Sequence, residues 1–310
     1  MTKYKRILII KLGALGDFIQ LTGFYSAIRK QYPNAHITLL TTKPFVKLAK
    51  ASPYFNDILV DNRSRNPLDW YHVIKKVLLD GDYDLIYDLQ NQKRTRSRYY
   101  NLTRFFTNKP LTWALYNKGN FLARYTPAKH RFTMGHQEKL IIPFKAEMAT
   151  LDFCKADPKV LALLPKKYVL LIPGCSPDHP YKRWPAKSYK ELAHALAQQN
   201  IHTVVIGTNA EKPEIDLICD QNSYAINFCN KSALFDIPEI ANKSMAVVGN
   251  DTGPQHMAEL GTIPVITLFC DITKTSAVKR PNVTNIIEKN IADISVKRVL
   301  DTLYSLWHKA

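Results

Sequence analysis

The feature that most constrains this chain is one pattern that occurs twice, in which short apolar runs are separated by amphipathic segments. In the first half the runs are ILII (7–10), HITLL (36–40), DILV (57–60) and DLIYDL (84–89). Runs of this length alternating with segments of helical spacing are the mark of βα units on a mostly parallel sheet. Residues 18–32 place apolar side chains near every third or fourth position and stop at Pro33-Asn34, which predicts one helix there. The second half restarts with YVLLIPG (168–174), a helical segment at 186–199, HTVVIG (202–207), MAVVGN (245–250) and PVITLF (264–269). A chain of 310 residues exceeds the usual size of a single domain. The predicted fold class is therefore α/β, with two Rossmann-like domains at 1–160 and 161–290. The tail, 291–310, has apolar residues at 294, 296, 299, 300, 303, 306 and 307, so it predicts an amphipathic helix packed on the domains. KADPKVLALLPKK, at 155–167, reads as the linker.

Composition removes several classes. No apolar run approaches the ~20 residues of a membrane helix, and Lys11 and Asp17 interrupt the first run well short of a signal-peptide core. The five cysteines form no CxxC pair and lie near no histidine at zinc spacing, which points to a reducing cytoplasm and to no structural metal. The formal charge of +17 calls for an anionic partner. Much of it lies between 92 and 139, where eleven Lys and Arg, among them Lys93, Arg94, Arg96 and Arg98, face a single acid, Glu138. Interleaved aromatic residues allow this stretch to hold an anionic amphiphile or single-stranded nucleic acid by charge and stacking. A merely solvated basic face is the plainer alternative. No helix-turn-helix, RRM or KH signature is present, which argues against nucleic acid.

Three segments carry candidate chemistry. GALGD follows the first strand; Gly13 and Gly16 permit close backbone approach, while Asp17 is either a helix cap with Gln20 three residues on or a base. It lacks the third glycine of GxGxxG and the GK[ST] of a P-loop. PGCSPDHPYKRWP (173–185) follows the first strand of the second half, where a parallel sheet opens onto its ligand. There Ser176, Lys182 and Arg183 would meet the ligand, or would form a solvated basic loop. VVGNDTGPQHMAELG (247–261) ends a buried strand and starts a helix with Gly253-Pro254. Thr252, Gly253 and the free N–H groups of that helix start form an anion site, with His256 one turn on. DTG alone would suggest an aspartic protease, but that chemistry needs paired carboxylates on a β-rich fold.

Together, ILIIKLGALGD, PGCSPDHPYKRWP and GNDTGPQHMAELGTIPVITLF resemble glycosyltransferase family 9, the ADP-heptose:lipopolysaccharide heptosyltransferases, over essentially the whole chain. The resemblance implies a GT-B architecture, with two Rossmann-like domains facing a central cleft and a C-terminal helix that crosses back to the N-terminal domain. It also implies inverting transfer from ADP-heptose to an inner-core acceptor of the Kdo–lipid A type, with no cofactor and no metal, at the cytoplasmic face of the inner membrane. In this reading Asp17 is the general base and Lys182 offsets charge on the departing ADP. Glu211 reaches the nucleoside, Asp251 the sugar, and Ser176, Thr252, Gly253 and His256 the rest of the donor. Gly13, Gly16, Lys93, Arg94, Arg96 and Arg98 fall on the acceptor side, which would be an anionic glycolipid at the inner leaflet. One departure stands out: Phe269-Cys270-Asp271-Ile272-Thr273 has Cys270 where a glycine is expected. The rivals are the same fold with another donor or acceptor, a basic nucleic-acid-binding protein, and a non-catalytic lipid-A-binding protein.

Overall fold

The computed structural model describes residues 4–64, 66–90, 92, 95, 99, 112–115, 130–132, 140–142 and 149–308. It divides into two compact units, Met1–Ala149 and Thr150–Ala310. The division falls ahead of the expected boundary at 160, and the 155–167 segment belongs to the second unit rather than linking the two. The reason is local: the Ala156 amide donates to Glu239 at 2.8 Å, the Asp157 amide to Asp236 at 3.2 Å, and the Asp157 side chain caps α5 (Pro158–Leu161).

In the first unit, β1 (Arg6–Ile10), β2 (His36–Thr41), β3 (Asp57–Val60), β4 (Leu85–Asp88) and β5 (Thr112–Leu115) form one parallel sheet in the order β3-β2-β1-β4-β5. β1 is the central strand and is apolar after Arg6, because helices cover both faces of a parallel sheet. Leu8 and Ile10 pack with Leu40, Ile74, Val77, Ile86 and Tyr99. The single helix expected at 18–32 is two, α1 (Leu15–Gln20) and α2 (Thr22–Gln31). The break sits at Leu21, where the Thr22 hydroxyl turns back to the Ile19 carbonyl at 2.5 Å. α3 (Val46–Ala51) and α4 (Pro67–Lys75) complete the βα units described, and β6 (His130–Phe132) pairs with β7 (Leu140–Ile142) in a separate antiparallel pair.

The second unit repeats the design with β8 (Tyr168–Ile172), β9 (His202–Gly207), β10 (Ala225–Cys229), β11 (Ala246–Asn250), β12 (Val265–Cys270) and β13 (Val283–Glu288), parallel in the order β10-β9-β8-β11-β12-β13. β10 and β13 have no counterpart in the sequence reading. They are edge strands whose apolar runs are interrupted by Asn227 and by Thr284-Asn285, so neither shows the run that betrays a central strand. α6 (Ala186–Ala197), α7 (Lys212–Cys219), α8 (Ile237–Asn242) and α9 (Gly253–Glu259) connect them. In both sheets the strand order reverses beside the first strand, between β1 and β4 and between β8 and β11. At such a reversal the connections diverge and leave a crevice beyond the carboxyl ends of the strands.

The tail helix is shorter than the expected 291–310: Ser295 accepts from the Arg298 amide at 3.2 Å and caps α10 (Val296–Trp307). The resemblance implies a helix crossing back to the first domain; the contacts described for α10 are with the second unit. Val299 and Leu303 are fully buried in that unit's core with Trp184, Leu192 and Leu196, and Trp307 donates to the Met245 carbonyl at 3.3 Å. Among the described residues no helix is long and apolar enough to cross a membrane.

Because Leu303 is fully buried against the second unit's core, Leu303→Ala should destabilise that unit by about 2–5 kcal/mol. Urea unfolding of the full chain followed by tryptophan fluorescence measures this. A loss well under 1 kcal/mol would contradict the packing.

Candidate active site

The turn after β1 is built around Gly13, whose φ of +136° few side chains adopt and whose added Cβ would stand 3.2 Å from the Phe45 ring. The following α1 has Ala14 at its cap with no side-chain cap bond, so Asp17 is not the N-cap. The capping-box reading of Asp17 and Gln20 is thereby replaced: Asp17 lies in the first turn with its carboxylate toward Lys11. The Lys11 ammonium, fully buried at the end of β1, stands 3.2 Å from Asp17 Oδ2. Burial lowers the lysine pKa, and Asp17 and Asp88 oppose that shift. Asp88 ends β4 and accepts the Thr95 hydroxyl at 2.7 Å; Arg63 donates to the Leu12 carbonyl at 2.8 Å, and Gln90 accepts the Leu12 amide at 2.9 Å. The turn is therefore tied from several loops, with Asp17 at its partly exposed edge. Gly16 lies within α1. Lys93, Arg94, Arg96 and Arg98 lie outside the described residues, as does most of the basic stretch from 92 to 139.

In the second unit the loop after β8 and the segment after β11 meet at the strand-order reversal. Asn250, wholly buried at the end of β11, donates to the Pro173 carbonyl at 2.6 Å and accepts the Trp184 amide at 3.1 Å and the Tyr189 hydroxyl at 3.0 Å. That bond set pins the 173–185 loop against the DTG segment and carries Lys182 to Asp251, Nζ to Oδ2, at 2.6 Å. Asp251 Oδ1 in turn lies 3.0 Å from His256 Nε2, and His256 Nδ1 lies 2.7 Å from Glu259 Oε2. Thr252 caps α9 without a side-chain bond, and its buried hydroxyl oxygen has no partner among the described residues. An unpaired buried hydroxyl calls for an explanation, and beside a helix start an anion supplies one.

The structure thus brings together Lys182, Asp251, Thr252, Gly253 and His256. His256 is placed differently from the expectation of a phosphate contact: both of its ring nitrogens face carboxylates, so it acts inside the protein. Glu211 Oε2 accepts the Thr208 amide at 2.9 Å and hydroxyl at 2.7 Å in a capping box. Its methylene still packs on the loop after β8, 3.0 Å from where a Cβ on Gly174 would stand. Ser176 is exposed on that loop. Cys270 ends β12 at φ −89°, extended backbone that any residue adopts, so the missing glycine strains nothing. Lys11, Asn250 and Glu259 escaped the sequence reading. The available signal was polarity out of place: a lysine and an asparagine ending apolar strands, and an acid inside HMAELG.

Burial by itself would lower the His256 pKa, but Glu259 and Asp251 outweigh it and raise it from 6.5 to about 10. Burial likewise raises Asp251, but His256 and Lys182 prevail and hold it below its ordinary value. The folded state therefore keeps a proton on His256 that the unfolded chain releases above pH 6.5. The resulting stability is complete below pH 6.5 and is lost as pH rises toward about 10. The gap in melting temperature between wild type and His256→Gln should accordingly narrow from pH 6.5 to pH 10. A gap that stays constant would show a neutral ring.

The chain is similar to known proteins over most of its length. The chain is 22% identical over 303 residues to the lipopolysaccharide core heptosyltransferase OpsX of Haemophilus influenzae, covering 91% of this chain and 84% of that protein. Among solved structures it resembles a family 9 glycosyl transferase of Veillonella parvula at 16% identity and a TM-score of 0.78, covering 99% and 98% of the two chains. It also resembles E. coli heptosyltransferase WaaC with ADP-2-deoxy-2-fluoro heptose at 14% identity and a TM-score of 0.69, covering 97% and 99%. The two parallel-sheet units are the α/β GT-B fold of these heptosyltransferases. The profile of glycosyltransferase family 9 (heptosyltransferase) matches residues 108–298, and the chain belongs to that family.

Proposed function

We propose that this glycosyltransferase moves a heptose from ADP-heptose to a hydroxyl of the lipopolysaccharide inner core, with inversion and without a metal, at the cytoplasmic face of the inner membrane. The observation that carries this reading is the Lys182 ammonium tied to Asp251 at 2.6 Å, beside the start of α9 and the Thr252 hydroxyl, which is unpartnered among the described residues. A cation, a free hydroxyl and helix N–H groups at a sheet's strand-order reversal suit a diphosphate. OpsX, by its name a core heptosyltransferase, and WaaC, solved with an ADP-heptose analogue, support the choice of donor and acceptor.

In the proposed step Asp17 takes the proton of the acceptor hydroxyl. That oxygen forms a bond to the anomeric carbon while the bond from this carbon to the β-phosphate oxygen breaks. The electron pair leaves with ADP, whose added charge Lys182, Thr252 and the α9 amides meet. The base belongs to the first unit and the leaving-group donors to the second. Asp17 suits its part: it is partly exposed, and the Lys11 ammonium beside it compensates its charge. The acceptor side rests on the basic stretch read from the sequence, whose cations suit an anionic glycolipid.

The test is transfer from ADP-heptose to a Kdo–lipid A acceptor, with a chelator present, followed by mass spectrometry. Asp17→Asn should lower kcat by about 10²–10⁴ and leave the Kd for ADP unchanged, whereas Thr252→Val and Lys182→Met should weaken ADP. Full transfer by Asp17→Asn, or ADP binding indifferent to both second-unit changes, would contradict the proposal.

A further inference from the structure

Four charged side chains are linked in sequence through the second unit, three of them almost wholly buried and the fourth partly exposed. Glu259 is 1% exposed, His256 5%, Asp251 3% and Lys182 19%, so among the four it is the ammonium that comes nearest the surface. The signs alternate once His256 is protonated. Each end of the buried segment is held by a separate element. Glu259 Oε1 accepts the Thr267 hydroxyl from β12 at 2.6 Å, and that hydroxyl oxygen accepts from Gln255 Nε2 at 3.0 Å. Glu259 Oε2 takes His256 Nδ1, one helical turn away on the same face of α9. The ring is then fixed with Nε2 toward Asp251, and Asp251 presents its second oxygen to Lys182.

We propose that Glu259 is a positioning residue of the donor site: by holding His256 it holds Asp251, and through Asp251 it fixes the Lys182 ammonium. The proposal rests on the reading that this unit binds the ADP moiety. Burying a line of charges is expensive, and apolar side chains would pack α9 on β12 at lower cost. What the charges add is direction: hydrogen bonds behind a functional group orient it as outer residues orient a ligand or a catalytic histidine. Among the described residues Asp251 and Glu259 face the two ring nitrogens of His256. Beyond them stand Lys182, bonded to Asp251, and Arg280, whose guanidinium lies in the field of Glu259. With two carboxylates on its nitrogens the ring stays an imidazolium through the neutral range. With glutamine at position 259 the ring would lose the larger of the two carboxylate effects that hold its proton and would release it at lower pH.

The experiment is a calorimetric titration of the full chain with ADP at several pH values from 7 to 9, on wild type, Glu259→Gln and Thr267→Val. Ring-proton NMR of His256 is recorded in parallel. In wild type the ring should remain protonated throughout. In Glu259→Gln it should titrate within the range, and the Kd for ADP should rise several-fold more between pH 7 and pH 9 than in wild type. Thr267→Val keeps every charge but loses one bond to Glu259, so it should shift ADP binding in the same direction by less. It also tests the proposal should Glu259→Gln fail to fold. A titrating ring in Glu259→Gln with the wild-type pH profile for ADP would overturn the positioning role and leave the donor reading standing. Failure of all three proteins to bind ADP would overturn the donor reading and this inference together.

Discussion

Burial of both faces of the two parallel sheets is the constraint on which the rest depends. β8 and β11 are buried along their whole lengths, and β1 after its first residue, so the strands must be apolar and polar groups are confined to their ends. The carboxyl ends at the order reversal are where the connecting segments part and leave room. Asp17 follows β1, Asp88 ends β4, the 173–185 loop follows β8, and Asp251 follows β11. Charged side chains gather at these positions because the interior of a doubly covered sheet favours apolar ones.

Several of the polar groups that enter the interior come with partners. Lys11 is compensated by Asp17 and by the field of Asp88; Asn250 satisfies three neighbours at once; Glu259 is bound through both oxygens. The exceptions are informative. Thr252 leaves its hydroxyl oxygen buried and unpaired among the described residues at the cap of α9, next to the Lys182–Asp251 pair.

The two-unit α/β architecture was legible in the sequence because central parallel strands are continuous apolar runs. β10 and β13 were not legible, since Asn227 and Thr284-Asn285 interrupt their apolar runs. The capping reading of Asp17 failed because the helix starts three residues earlier than a cap would require, at Leu15. The motifs named Asp251, Thr252 and Lys182, but nothing in them pointed to the line of charges behind. Glu259 and Thr267 are eight residues apart and meet across α9 and β12, a contact with no local sequence signal. His256 was placed against the ligand because its position one turn into the helix was visible, whereas the carboxylates that occupy both of its nitrogens were not.

The most direct test of the central claim is a crystal structure of the chain with ADP. The account predicts the β-phosphate within hydrogen-bond distance of Lys182 Nζ and Thr252 Oγ1, with Asp17 free of phosphate contact. Phosphates bound instead at the Gly13–Asp17 turn, with Thr252 and Lys182 untouched, would contradict it.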